Sequence, residues 1–149
     1  MNLSLTAFNL IGAITALCLL VLTILVFIFR LYKFESAEFV SGLLFILCAV
    51  PLVFLLFQAQ NFDRPSLYYI QVILILIFIL AEFLLDYVFK VDFRHTQWMV
   101  VTYVTIFFAS MGGMIGVASQ AGKSFTIAAV ALFLIMTILA FYQRAKTGL

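Results

Sequence analysis

Two carboxylates, Glu82 and Asp86, lie four residues apart inside an apolar run, Leu67 to Phe89, that holds no other acidic or basic residue. About 23 residues rising about 1.5 Å each give roughly 34 Å, enough to cross the hydrocarbon core of a bilayer. A charged side chain deep in a membrane costs a few kcal/mol on insertion scales, so such residues face a bundle interior, a water-filled cavity or a partner. Residues four apart share one helical face, so the two acids form a pair. Gln71 comes eleven residues before Glu82, about three turns, which gives the same face a third polar group. Tyr103, in the next apolar run, is a further polar candidate.

Carboxylates in apolar surroundings accept a proton, hold a cation or grip the basic part of a ligand. On that reading Glu82 is the central acceptor, Asp86 a relay or entrance group, and Gln71 and Tyr103 are polar neighbours. The structural alternative pairs Asp86 with Lys90, Arg30 or Lys33 at the membrane edge, Lys90 following Asp86 in the acid-then-base order that suits an ion pair. Other chemistry lacks its residues. No Ser, His and Asp set suggests hydrolysis, no His and Cys set suggests a metal, and no glycine loop opens a nucleotide fold. The single histidine, His95, lies in a connection and reads as an interfacial residue. No catalytic residue, metal or cofactor is expected.

The elements that must position these groups follow from composition. The 149 residues are 67% hydrophobic and 9% charged, against about a quarter charged in soluble domains, and a soluble core cannot hide that much apolar surface. The solvent is lipid. The net charge of +2 is spread along the chain with no basic block, so a nucleic-acid partner has no support. Five apolar runs, 7–29, 39–59, 67–89, 97–118 and 125–142, predict an all-α integral membrane protein, a single domain over 1–149 built as a bundle of five transmembrane helices. The first run is followed by Arg30 and Lys33 and is expected to be a retained span, since a cleaved signal peptide carries its positive charges ahead of the apolar run.

With five spans, Arg30, Lys33, Lys90, Arg94, Arg144 and Lys146 fall on one side and Arg64 and Lys123 on the other. The positive-inside rule then places the amino terminus outside and the carboxyl terminus in the cytoplasm. Tyr32, Tyr87, Trp98 and Tyr142 fit an inner aromatic belt, and Tyr68 and Tyr69 an outer one. The expected location is the cell membrane of a prokaryote.

Three further features bear on packing. Pro51, inside the second run, removes a backbone hydrogen bond and presses on the carbonyl of Leu47, predicting a kink. Cys18 and Cys48 lie in apolar runs without metal-ligand spacing and are expected to pack as thiols. In the fourth run Thr102, Thr105, Ala109, Gly112, Gly116 and Ser119 recur at steps of three and four, a seam of small residues with a GxxxG pair. The seam is expected to be a close-packing face, within the chain or against a second copy or another membrane protein. Asn9, Gly12, Ala16 and Thr23 form a similar face on the first run.

Two functions therefore stand side by side. One is binding or translocation of a proton, a cation or a cationic amphiphilic small molecule by the intramembrane acids. The other is a structural or accessory subunit that docks a partner through the small-residue face of the fourth helix.

Overall fold

The computed structural model describes residues 4–89 and 96–147, the side chains of residues 144 and 147 excepted. Every regular element among them is helical: α1 (Leu5–Leu31), α2 (Glu35–Leu47), α3 (Ala49–Gln58), α4 (Ser66–Glu82), α5 (Gln97–Ser119) and α6 (Lys123–Thr147). Five helical segments are long and apolar enough to cross a membrane, with α2 and α3 acting as one: Leu5–Leu31, Glu35–Phe62, Ser66–Val88, Gln97–Ser119 and Lys123–Gln143. Several helices run past the apolar runs and take in charged residues such as Glu35 and Lys123.

The ends of these helices have local causes. The hydroxyl of Ser4 accepts from the Ala7 amide at 3.1 Å and caps α1. Arg30 stands in its last turn, where the exposed carbonyls favour a cation. Lys33, at φ +58°, turns the chain into α2, whose first turn carries Glu35 and Glu38 at the end that favours anions. The kink expected from Pro51 is present as a break at Cys48, between α2 and α3. There the Cys48 amide is shared between the carbonyls of Leu44 and Phe45, 3.2 Å from each, and the helix restarts. Asp63, at φ +46°, and Pro65 turn the chain into α4.

At Glu82 the helix changes form. Residues Phe83–Val88 are π-helical, and the Phe89 amide bonds the carbonyl of Leu84 at 2.8 Å, five residues back. Such wide turns interrupt α-helices rarely and often at functional positions.

α1 is central and packs on α2, α3, α5 and α6, while α4 lies along α5. Leu19, Leu20, Leu55, Ile75, Met111 and Met114 are wholly buried between them. Glycine permits the closest approaches. A Cβ at Gly12 would sit 3.1 Å from Val117, and one at Gly113 only 2.9 Å from the backbone oxygen of Gln71. The face of α1 read from Gly12, Ala16 and Thr23 is buried. Buried hydroxyls bond their own helix, Thr23 to the Leu19 carbonyl at 2.8 Å and Ser110 to that of Phe107 at 2.7 Å. The outward side chains, Ile127, Leu134, Ile138 and Phe141 of α6 among them, are large and apolar, as a lipid-facing surface requires. Both cysteines are free thiols, and Cys18 is exposed instead of packing in the core.

The small-residue seam of α5 does not coincide with its packed face. Thr102, Thr105, Gly112 and Ser119 are exposed, Ala109 and Gly116 half-buried. The buried face is Phe107, Ser110, Met111, Gly113, Met114, Val117 and Ala118. Of the seam residues Gly116 meets α4, where a Cβ would overlap the side chain of Gln71, whereas Gly112 has nothing within 4 Å.

Candidate functional site

The end of the bundle that holds the α1–α2 turn carries an open cavity of about 660 Å³. α1 lines it with Thr23, Val26, Phe27 and Arg30, and α2 with Glu35, Glu38, Phe39, Gly42 and Phe45. α4 and its π-helical continuation supply Phe78, Glu82, Asp86 and Tyr87, and α5 supplies Tyr103. Four carboxylates therefore share one space with a single basic side chain among the described residues.

Two of the acids share Arg30, and Glu82 has a different partner. Arg30 Nε donates to Glu38 Oε1 at 2.7 Å, a charge-assisted bond. The other arm of the guanidinium is 3.7 Å from Asp86 Oδ2, an ion pair beyond hydrogen-bond length. The side chains of Arg30 and Glu38 are about a quarter exposed and that of Asp86 is 41% exposed, so Asp86 stands nearer the opening. Glu82 takes its hydrogen bond from the hydroxyl of Tyr103, not from the guanidinium.

The π turn explains the position of Tyr87. On a regular α-helix a residue five positions after Glu82 points about 140° away from it. A turn closed by an i to i+5 bond brings that residue round toward the same side. Tyr87 consequently faces α2, donates to the Phe39 carbonyl at 3.2 Å and packs on the Phe39 ring at 5.5 Å. Gly42 lies directly beneath: a Cβ there would overlap the Tyr87 hydroxyl.

Of the four ligand-site residues read from sequence, the structure brings Glu82, Asp86 and Tyr103 together and leaves Gln71 out. Gln71 packs its backbone oxygen on Gly113 and its side chain on Gly116, and does not line the cavity. Arg30 is the Asp86 partner among those expected; Lys90, with Asp92, Arg94 and His95, lies outside the described residues. Tyr87, read from sequence as a belt residue, lines the cavity and bonds α2. Tyr68, expected at the outer interface, is 2% exposed and packs beside Phe8. Tyr32, Trp98 and Tyr142 are exposed.

Glu35 and Glu38 are the site residues that sequence reasoning missed. Their signal was available: two acids three residues apart, one helical turn, at the entrance of an apolar run. Nothing in the sequence tied that turn to Glu82, more than forty residues later.

The opposite end is closed by Arg64. Its guanidinium donates to Gln120 Oε1 at 2.9 Å and to Asn9 Oδ1, and lies over the rings of Phe8 at 5.1 Å and Tyr68 at 5.4 Å. One cation thus ties the starts of α1 and α4 to the end of α5, by hydrogen bonds and cation–π contact. Among the described residues no three His, Cys, Asp or Glu side chains gather as a metal cage. Compared with known proteins, the chain matches no family model, no curated protein and no solved structure.

Proposed function

We propose that this five-span chain binds or translocates a cation, whether a proton, a metal cation or a cationic amphiphilic small molecule, at the cavity around Glu82. The observation that carries the reading is the charge imbalance of the lining, with Glu35, Glu38, Glu82 and Asp86 set against Arg30 alone among the described residues. Glu35 and Asp86 are exposed at the opening, while Glu38 and Glu82 are partly buried; a carboxylate withdrawn from water is costly without a counter-charge, and an entering cation provides one. Glu82 is the central acceptor because its bond comes from a neutral phenol, and Asp86, the more exposed acid, is the entrance group. In the same proposal the cavity end faces the cytoplasm, because Arg30, Lys33 and Lys146 belong to the side richer in Lys and Arg.

The test uses purified protein in liposomes, following proton entry with a trapped pH dye, labelled sodium uptake and tetraphenylphosphonium binding. Glu82→Gln is expected to abolish at least one of these responses while elution volume and helix content stay unchanged. Indifference of all three to Glu82→Gln overturns the reading.

The second reading, an accessory subunit that docks another membrane protein or a copy of itself, is favoured by the exposed part of the α5 seam. Gly112 presents bare backbone at the bundle surface, which allows the close approach typical of membrane helix contacts. Loss of assembly in Gly112→Leu, with Glu82→Gln silent, supports it.

A further inference from the structure

We infer that the occupant of the cavity is a monovalent organic cation of the ammonium type, with an apolar body of drug-like size. This inference rests on the cation-binding reading above and names the class of cation. Volume is the first argument. About 660 Å³ lies inside the roughly 300–1,000 Å³ range of small-molecule pockets, while a water fills about 30 Å³ of liquid, and a bare inorganic ion leaves most of such a space empty.

The walls are the second argument. Phe45 and Phe78 meet edge to face with ring centres 5.7 Å apart, and Phe78 meets Tyr103 at 6.0 Å. Phe27 completes the aromatic side of the lining. Phe45 and Phe78 are buried and back this wall, while Phe39 is exposed beside them; aromatic side chains attract organic ammonium groups and receive apolar bulk, and both properties suit a cation with a hydrophobic body.

The placement of the acids is the third. They are distributed over α2, α4 and the π turn, and among the described residues they do not converge into a three-ligand cage. A divalent ion such as calcium requires six to eight oxygens at about 2.3–2.6 Å. Glu82 and Asp86 stand side by side, and with Glu35 and Glu38 on α2 the carboxylates hold one diffuse charge from more than one side. Arg30 already engages Glu38 and Asp86, so Glu82 is the acid left to anchor the ligand, and the Phe27 and Phe39 side of the lining receives its body.

The experiment compares two probes of equal shape and opposite charge, tetraphenylphosphonium and tetraphenylborate, binding to the whole purified protein in detergent micelles. The expected result is saturable phosphonium binding about tenfold or more tighter than borate binding, weakened about tenfold or more in Glu82→Gln. Equal binding of both ions marks the cavity as a plain apolar hole and overturns the inference. Absence of phosphonium binding alongside a sodium or proton response lost in Glu82→Gln overturns the ligand class and leaves the cation reading standing. Absence of every Glu82-dependent response defeats both. The sign preference is measured on the unmodified chain, so a poorly folding Glu82→Gln variant does not remove the test.

Discussion

The hydroxyl of Tyr103, on α5, donates a hydrogen bond to Oε1 of Glu82, the last residue of α4 before the helix widens. The bond joins two helices at the cavity wall and gives a carboxylate in the bundle a partner that carries no charge. Glu38 and Asp86, by contrast, face the guanidinium of Arg30, at 2.7 and 3.7 Å.

Tyr103→Phe removes that donor and leaves the Glu82 oxygen without it. Leaving a buried acceptor unsatisfied is expected to lower stability by about 1–3 kcal/mol. Glu82→Gln keeps an acceptor oxygen for the same hydroxyl and is expected to lose less. Denaturant unfolding of both variants in the same mild detergent checks the order, and equal losses would argue that the bond is not made.

Gly42 and Tyr87 form a second coupled pair, because a methyl at Gly42 overlaps the Tyr87 hydroxyl. Gly42→Ala should push the ring off Phe39 and break the bond to its carbonyl. In a Tyr87→Phe background the obstructing oxygen is gone, so the same change is expected to be better tolerated. A double-mutant cycle in thermal stability should give a coupling of about 0.5–3 kcal/mol, the range for residues in contact. Additive effects would mean that the two side chains do not meet.

Gly112 and Gly113 are neighbours in sequence and opposites in environment. A methyl at Gly113 meets the Gln71 backbone at 2.9 Å, and a helix backbone yields only by moving the whole helix. Gly113→Ala is expected to destabilise by about 1–3 kcal/mol, as overpacking does. Gly112→Ala meets nothing and gains up to about 1 kcal/mol of helix propensity. Unfolding of the two variants side by side checks this, and a loss of assembly confined to Gly112→Ala would mark its face as a contact between chains.

Much of the architecture was legible because it depends on local quantities. Run length against bilayer thickness places five spans, and Pro51 places a break one turn before itself. Glu82 and Asp86 stand out because lipid tolerates few acids. The i+4 rule also put both on one side, and both line the cavity. Helical spacing failed at Gln71, and it does not foresee the inward turn of Tyr87. Gln71 belongs to the helix contact with Gly113 and Gly116, and Tyr87 follows a π turn that the 3.6-residue period does not contain.

The seam on α5 shows the limit most clearly. Small residues at steps of three and four do mark a smooth helix face, yet the packed face is the neighbouring one through Gly113 and Val117. In water an apolar stripe identifies the inside. In a membrane the lipid is as apolar as the core, so composition leaves the rotation of a helix about its axis undetermined.

From the order of its amino acids alone, this protein has an all-helical membrane-spanning character and acids at one depth of the third span, because the bilayer acts on each stretch of chain separately. Tertiary structure decided that Glu35, Glu38 and Arg30, distant in sequence, meet Glu82 and Asp86 in one cavity while Gln71 does not. That outcome depends on how far each helix is turned and how closely glycines let the backbones approach, which are properties of pairs of helices and belong to no single segment.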